Sequence, residues 1–583
     1  MIISTAILSF LIGCKGVVQI DPEDIESLVV EPSEITLATR PELAVEQEFA
    51  AYAKLSDDEL VRLDLISWES SNMSAGIIGD EGIFSSVQTN GGITDIVAKH
   101  FGKEGRARVT VVYTDDLVEE DVDQRVVNAF RNGNPTQSSD LDLTYPPNNV
   151  MVPRNLDGLG FAWEDSEASS ESVYRVHLKS SITDISIYTS DSFWISNSQL
   201  WSLIAASNSG GSVEVSIEAG EWNGNGLQNL RASSPIDVEV NRFDARGSVY
   251  YWSSSNQGIM RIPIGTSEAE VFWDNSGTGG GCIGCHSVHN ERMVVTHDGH
   301  DGRFTILGVN QVDLEPETGS FEPETTIEAE ILVGPADQNR VTFKTLSPDG
   351  QYILGSNNNR LILFAMDTGV PIRTWQFDTR VAHPDWSPDG SQVVFTRVHG
   401  MARSDREFWG GSIVQMDIDI DNMELNDEVV LKEYDNQTSY YYPAYSPDGE
   451  WIVYVRSSND QGISQKGASA SAANPDDRRL WLMSREGTID ISLDTANKNT
   501  DGSSPDLLNS YPRWGPLPDD DVLWIAFSSV RPYPLAQAAS EQIWVCGIDP
   551  AKAYQGEDPS TPAFWLPGQQ QNTSNHLPVW SNR

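Results

Sequence analysis

The residue pattern with the most chemical potential is Cys282-Ile-Gly-Cys285-His286, two thiols and an imidazole at the spacing C-x-x-C-H. This spacing is the attachment signal for c-type haem: the two cysteines form thioethers to the vinyl groups, and the adjacent histidine ligates the iron. We therefore expect Cys282 and Cys285 to hold one covalent haem c, with His286 as an axial ligand of the iron.

Three other interpretations of the cysteine pair compete with haem. A disulfide between Cys282 and Cys285 is feasible in an exported protein, and a zinc site would need two further clustered ligands. A thioredoxin-like redox pair needs a strand-to-helix context that the flanking residues lack. The adjacent histidine and the scarcity of other cysteines favour haem. Of the other two, Cys546 lies on an apolar stretch and is predicted to be a small buried hydrophobe.

The second axial position of the iron has several candidates. His383 ranks first, because it precedes the Pro-x-Trp of a repeated motif at the expected channel mouth. His300 ranks second, followed by Met401 and His399, all in segments expected to be loops on the same face. A vacant position, with five-coordinate iron, stays open.

The elements that must position this site are repeats. Four phrases, FKTLSPDG, HPDWSPDG, YPAYSPDG and YPRWGPLPDD, each precede an alternating apolar strand, at intervals of about 40 to 70 residues. These repeats resemble the WD40-like propeller repeats of TolB-type proteins. The resemblance implies a β-propeller over residues 241–583. The final NHLPVWSNR supplies half of a motif whose other half lies near residue 247, so it is expected to complete the first blade as a strand clasp, and counting the inner strands gives six blades. One residue anchors each inner strand: His286, Leu346, Trp386, Tyr445, Trp514 and Trp580.

The cysteine stretch aligns with this repeat. Aligned on the serine that follows each anchor, His286 takes the aromatic position, Cys285 precedes it, and Ile283 takes the place of His383. The residues in that place are expected to form a mostly apolar and aromatic collar at the channel mouth: Ile283, Phe343, His383, Tyr442, Tyr511 and Leu577. The haem site is thus predicted on the first strand of a blade.

Two smaller β domains are expected before the propeller. Residues 26–114 resemble the bacterial Ig-like group 2 domain, on the evidence of Trp68-x-Ser-Ser-Asn, Gly82-Ile-Phe and Gly91-Gly92, and the resemblance implies a spacer. An acidic and polar linker is predicted at 115–145, and a second sandwich at 146–240, with its aromatic residues in the core rather than in a carbohydrate groove. The predicted fold is all-β: two Ig-like or fibronectin-like β-sandwich domains followed by the six-bladed β-propeller.

Residues 1–14 are typical of a lipoprotein signal peptide, in which a short apolar run ends in the lipobox-like Leu-Ile-Gly-Cys14. Lipidation of Cys14 is the expectation; an ordinary signal or an uncleaved anchor is the alternative. With 38 basic and 85 acidic residues, the net charge of −47 argues against a nucleic-acid partner. We expect a periplasmic, outer-membrane or cell-surface lipoprotein that contacts the membrane only through its lipid.

The function that these expectations favour is electron transfer or another redox role at the bacterial cell envelope, with an unidentified redox or surface protein as partner. The alternatives are a surface protein- or glycan-binding propeller with a structural haem, and a haem oxidoreductase of peroxidase-like type. Nucleophile elbows, phosphate-binding glycine loops and H-E-x-x-H motifs do not occur in the sequence. Whether the protein is an enzyme stays undecided at this level.

Overall fold

The computed structural model describes residues 21–274, 283–289, 292–297, 304–308, 329–330, 341–400, 402–404, 407–408, 410–457, 463–464, 478–505, 507–517, 522–534 and 541–582. The chain is all-β and divides into two compact units, the first comprising residues 1–115 and 181–184 and the second the remainder. Within the described residues, no helix is long and apolar enough to cross a membrane.

The first unit packs three sheets around one core. Their strand orders are β1-β4-β5, β6-β9-β10-β2 and β3-β8-β7, and β2 runs parallel to β10. Val30, Phe49, Phe84, Ile96 and Val109 are buried in the shared core. A short 3-10 helix, Pro22–Asp24, precedes the strands β1 Ile25–Glu31, β2 Glu34–Thr39, β3 Glu46–Glu48, β4 Ala50–Leu55, β5 Leu60–Arg62, β6 Ser67–Ser70, β7 Gly76–Ile78, β8 Ile83–Ser86, β9 Gly92–His100 and β10 Lys103–Val118.

The second unit begins with a helix where the sequence predicts a linker. Helix α1, Val126–Arg131, buries Val126 and Phe130 against Val173 and Tyr188. Two apolar side chains on one face are enough to hold this segment, which composition alone marks as polar. The elements that follow are β11 Thr136–Gln137, β12 Leu141–Tyr145, β13 Val150–Val152, β14 Gly160–Asp165, β15 Ser172–Lys179, β16 Thr183–Thr189, β17 Phe193–Ile195, α2 Ser198–Ser207, β18 Ser212–Trp222, β19 Leu227–Ala232 and β20 Ile236–Val240.

Most aromatic residues of this region lie in its interior. Phe161, Trp163, Tyr174, Trp194 and Trp201 are all buried, as the sequence predicts for a core. One tyrosine joins this region to the last sheet of the chain: the hydroxyl of Tyr145 accepts a hydrogen bond from the backbone N–H of Trp565, 3.1 Å away.

The described residues between 248 and 581 include six four-stranded antiparallel sheets. The first sheet is completed by the last strand, β47, which pairs with β21. The six sheets contain, in turn, β21 Ser248–Ser253, β22 Gly258–Pro263, β23 Glu270–Trp273 and β47 Asn575–Ser581; β24 Ile283–His289, β25 Arg292–His297, β26 Phe304–Gly308 and β27 Ala329–Glu330; β28 Lys344–Leu346, β29 Tyr352–Asn357, β30 Arg360–Ala365 and β31 Pro371–Gln376; β32 Arg380–Trp386, β33 Gln392–Val398, β36 Gly411–Asp419 and β37 Glu424–Lys432; β38 Ser439–Tyr445, β39 Trp451–Ser457, β41 Arg479–Ser484 and β42 Asp490–Ser492; β43 Ser510–Trp514, β44 Leu523–Ser529, β45 Gln542–Ile548 and β46 Phe564–Trp565.

Three further short strands form a small sheet of their own, and one helix lies in the last repeat. The sheet has the strand order β34-β35-β40 and consists of β34 Ala402–Ser404, β35 Glu407–Phe408 and β40 Ile463–Ser464. The helix is α3 Pro550–Tyr554.

One end strand of each sheet, called here its first strand, contacts the first strand of the next sheet. These first strands are β24, β28, β32, β38, β43 and β47, and β47 in turn contacts β24. Hydrogen bonds join successive sheets. The Ser287 hydroxyl donates to the Lys344 carbonyl at 2.6 Å, and the Trp514 indole donates to the Ala444 carbonyl at 3.0 Å. Each first strand is therefore held both by its own sheet and by the next.

The S-P-D-G phrases form tight turns between first and second strands. The Ser387 hydroxyl donates to the Asp389 carboxylate at 2.6 Å and accepts from the backbone N–H of Gln392 at 2.9 Å. Gly390 has a φ of 77°, a conformation that strongly favours glycine. The turns at 347–350 and 446–449 repeat this arrangement, which explains the recurrence of Ser, Asp and Gly.

A bulge interrupts most first strands at the residue before proline. His383, Tyr442, Tyr511 and Leu577 have φ values between 50° and 58°, and the strand register shifts at each of them. Because proline has no N–H to donate to the ladder, a bulge is accommodated there.

We predict that Trp580→Ala destabilises the second unit by about 3–5 kcal/mol, the usual cost of truncating a buried tryptophan. Trp580 is 7% exposed, and its indole N–H donates to the Arg246 carbonyl at 2.8 Å. Urea denaturation measures the loss. Phe193→Ala, at a 43% exposed position of the same unit, is the control and should change stability by under about 0.5 kcal/mol. Equal stabilities of both variants would contradict the role given to this last strand.

Candidate functional site

Cys285 and His286 lie in β24, the first strand of the second sheet, and both are buried. The register of β24 shifts between Gly284 and His286, so that Cys285 forms a bulge with a φ of 29°. This bulge corresponds to those at His383, Tyr442 and Tyr511, although no proline follows it. Cys285 therefore occupies the position that His383 occupies in β32.

This register differs by two residues from the one that the sequence alignment predicts. His286 pairs with Val295, whereas Val288 pairs with Met293 in the way that Trp386 pairs with Val393. Val288, not His286, thus takes the aromatic position. The alignment failed because it assumed a connection of equal length: two residues separate the paired His289 and Arg292, whereas four separate Ser387 and Gln392 in the repeat of Trp386.

His286 is a buried imidazole without a hydrogen bond of good geometry. Neither ring nitrogen meets a partner at hydrogen-bonding distance and angle among the described residues, and the side chain is only 6% exposed. Burial lowers the pKa of His286 to about 3; a weak hydrogen-bonding interaction with the Tyr250 backbone opposes the shift, and the charges of Lys344, His576 and Arg513 add to it. The ring is therefore neutral at physiological pH, which is the form that ligates a metal.

Lys344, on the neighbouring strand β28, holds the backbone beside this histidine. Its ammonium group donates to the Cys285 carbonyl and to the Thr296 hydroxyl, and it is buried. Sequence analysis missed this residue, although a lysine in an otherwise apolar first strand, FKTL, was a visible signal.

His383 lies on β32 in a collar of aromatic rings. Its ring centroid is 4.3 Å from that of Phe343 and 4.0 Å from that of Tyr442, which in turn lies 4.1 Å from Tyr511. Nδ1 is 3.2 Å from the Thr396 hydroxyl, whereas Nε2 is buried without a partner among the described residues. Burial lowers the pKa of His383 well below its usual value. Four of the six predicted collar residues are thus consecutive neighbours.

The segment after His399, which was predicted as a loop, contacts this collar. Phe408, in β35, is buried and its ring lies 5.4 Å from that of His383. β35 pairs with β40, so that loops from two sheets meet beside the histidine.

The remaining candidates are not brought to this place by the described structure. Cys14, Cys282, His300 and Met401 lie outside the described residues. His399 is within them, but its Nε2 is 2.8 Å from the Ser412 hydroxyl and its ring stacks with that of Tyr434.

The residues present fit a covalently attached haem in their donor chemistry. An imidazole whose two nitrogens are buried and unpartnered carries an uncompensated desolvation cost, which a bond to a metal would remove. It directly follows a buried cysteine, as the attachment motif requires.

No family model matches the chain, and no curated protein matches it. The solved structures similar to it include TolB proteins and a β-propeller domain. The putative TolB from Agrobacterium tumefaciens is 15% identical with a TM-score of 0.31, over 57% of this chain and 98% of that one. TolB from Acinetobacter baumannii is 13% identical with a TM-score of 0.34, over 63% and 79%. The hydrazine synthase from Kuenenia stuttgartiensis is 11% identical with a TM-score of 0.30, over 49% and 77%. Identities and TM-scores this low transfer no function to this chain.

We predict that Cys546 resists alkylation in the folded protein. It is fully buried in β45, and burial raises the pKa of its thiol to about 12, so that the reactive thiolate is scarce at pH 8. Iodoacetamide treatment followed by mass spectrometry of the Cys546 peptide measures this. The urea-denatured chain is the control and should be fully labelled; equal labelling before and after denaturation would show that this strand is not buried.

Proposed function

We propose that the six sheets are the blades of a TolB-type β-propeller and that the protein is an exported haem c protein with a redox role at the cell envelope. Cys282 and Cys285 would form the two thioethers, and His286 would be the proximal iron ligand. Lipidation at Cys14 would tether the protein to the membrane, and a second redox protein would be its partner.

One observation carries this proposal: the unpartnered, buried imidazole of His286 beside Cys285. A purely structural histidine in a packed strand normally has at least one hydrogen bond. Haem c, when bound, supplies one-electron redox chemistry at its iron.

The surrounding residues have separate tasks in this proposal. The rings of Phe343, His383 and Tyr442 exclude water from the ring centre. The buried cation Lys344 and the nearby Arg513 place positive charge beside His286, and positive charge favours the reduced, less positive iron. His383 is the first candidate for the distal ligand, because its Nε2 is buried without a partner among the described residues.

Covalent attachment of haem can be measured directly. Protein produced with cytochrome c maturation machinery should carry one covalent haem, measured as a reduced pyridine haemochrome after acid–acetone extraction. Cys282→Ala/Cys285→Ala should lose the signal, whereas Cys546→Ala, which removes a cysteine elsewhere, should keep it. An absent signal in the unaltered protein, or its survival in the double variant, would refute the proposal.

Substitution of His383 tests whether this residue is the distal ligand. His383→Phe installs the side chain found at the equivalent position of the preceding repeat, Phe343, which lies directly before β28, so it should preserve packing. If His383 ligates the iron, the ferric spectrum should change from low spin to high spin, as seen by absorption and electron paramagnetic resonance. His399→Gln is the control and should leave both spectra unchanged. An unchanged spectrum in His383→Phe would exclude His383 as the ligand.

A further inference from the structure

A second candidate site lies at the centre of the ring of first strands, at the end where the S-P-D-G turns are found. It is a cavity of about 330 Å³. The same position of each first strand contributes one lining residue, as the pairing with the second strands shows. These six residues are Ser287, Thr345, Asp385, Ala444, Arg513 and Val579.

Four large aromatic side chains form part of the cavity wall. Trp386, Tyr445, Trp514 and Trp580 line it. The three indole N–H groups already donate to backbone carbonyls, at 3.1, 3.0 and 2.8 Å. These rings therefore offer apolar surface rather than hydrogen bonds to a bound molecule.

Arg513 has most of its hydrogen-bonding capacity left. A guanidinium carries five N–H donors. Within the described residues, Arg513 donates one hydrogen bond, from Nη1 to the Pro512 carbonyl at 3.2 Å. Among the residues that the structure describes, it forms no ion pair. In a chain with a net charge of −47, an arginine without a carboxylate partner inside a cavity is a site for an anion.

Asp385 supplies the opposite charge. It accepts hydrogen bonds from the backbone N–H of Tyr445 at 2.8 Å and from the Thr345 hydroxyl at 3.4 Å, which leaves further lone pairs. Burial raises the pKa of Asp385, and Arg513 opposes that shift. The charges of Asp385 and Arg513 interact, but the two side chains form no ion pair within the described residues. The small Ala444 lies on β38, the strand between β32 and β43.

We propose that this cavity binds a small zwitterion, an α-amino acid with an aromatic or aliphatic side chain. Its carboxylate would pair with Arg513, its ammonium group would pair with Asp385, and its side chain would contact the aromatic wall. The proposal does not rest on the proposed function, because neither Arg513 nor Asp385 is among the residues proposed to attach haem or to ligate its iron.

The test begins with the unaltered full chain, made with cytochrome c maturation machinery. Isothermal titration calorimetry with L-phenylalanine should show saturable binding with one site per chain. L-phenylalaninamide, which lacks the carboxylate, and 3-phenylpropionate, which lacks the ammonium group, should each bind roughly 10- to 100-fold more weakly, because each loses a charged hydrogen bond. Equal affinities for all three compounds, or no binding of L-phenylalanine, L-leucine and L-tryptophan, would overturn the proposal.

Two variants assign each charge to its partner. Arg513→Gln should no longer distinguish L-phenylalanine from its amide, and Asp385→Asn should no longer distinguish it from 3-phenylpropionate. Arg373→Gln, at an exposed position of β31, is the control and should bind like the unaltered protein. If the selectivity of both cavity variants is unchanged, the proposal fails. If a variant does not fold, as judged by circular dichroism, the analogue series on the unaltered chain decides.

Discussion

The pairing of β47 with β21 is the constraint on which the six-sheet region depends. These strands are more than three hundred residues apart in the chain, yet their antiparallel ladder completes the first sheet and puts β47 beside β24. An unpaired β21 would expose an open edge of backbone donors and acceptors. Strand β21 also contacts the strand of the cysteine motif, since the Trp252 indole donates to the Ile283 carbonyl at 2.6 Å.

The centre of the ring is polar, although it is buried. His286, Lys344, His383, Asp385 and Arg513 all approach it from first strands. Placing such groups out of water costs free energy unless each finds a partner. Lys344 is satisfied by backbone and hydroxyl oxygens, whereas the two histidines keep unpartnered nitrogens among the described residues. A structure that needed only stability would fill these positions with apolar residues; their retention is what makes this centre a candidate site.

Local patterns in the sequence predicted local structure well. The S-P-D-G turns form as expected, because Ser, Asp and Gly satisfy one another within a few residues. The burial of the second region's aromatic residues was also predicted correctly. Helix α1 was not, since two buried side chains, Val126 and Phe130, decide it and the surrounding composition is polar. The register of β24 was predicted wrongly, because the connection to β25 is two residues shorter than the S-P-D-G turns and the motif does not reveal this.

The sequence by itself determined the all-β class, the repeat turns, the return of the last strand to the first sheet and the Cys-x-x-Cys-His motif, because each of these is written in neighbouring residues or in complementary half-motifs. Only the tertiary structure decided which side chains meet at the ring centre. Asp385 and Arg513 stand at the same position of two repeats, directly before Trp386 and Trp514, but the repeat pattern alone does not show that they line one cavity with Lys344. Their juxtaposition follows from the cyclic order of six strands, and burial among those strands is what makes the two histidines neutral.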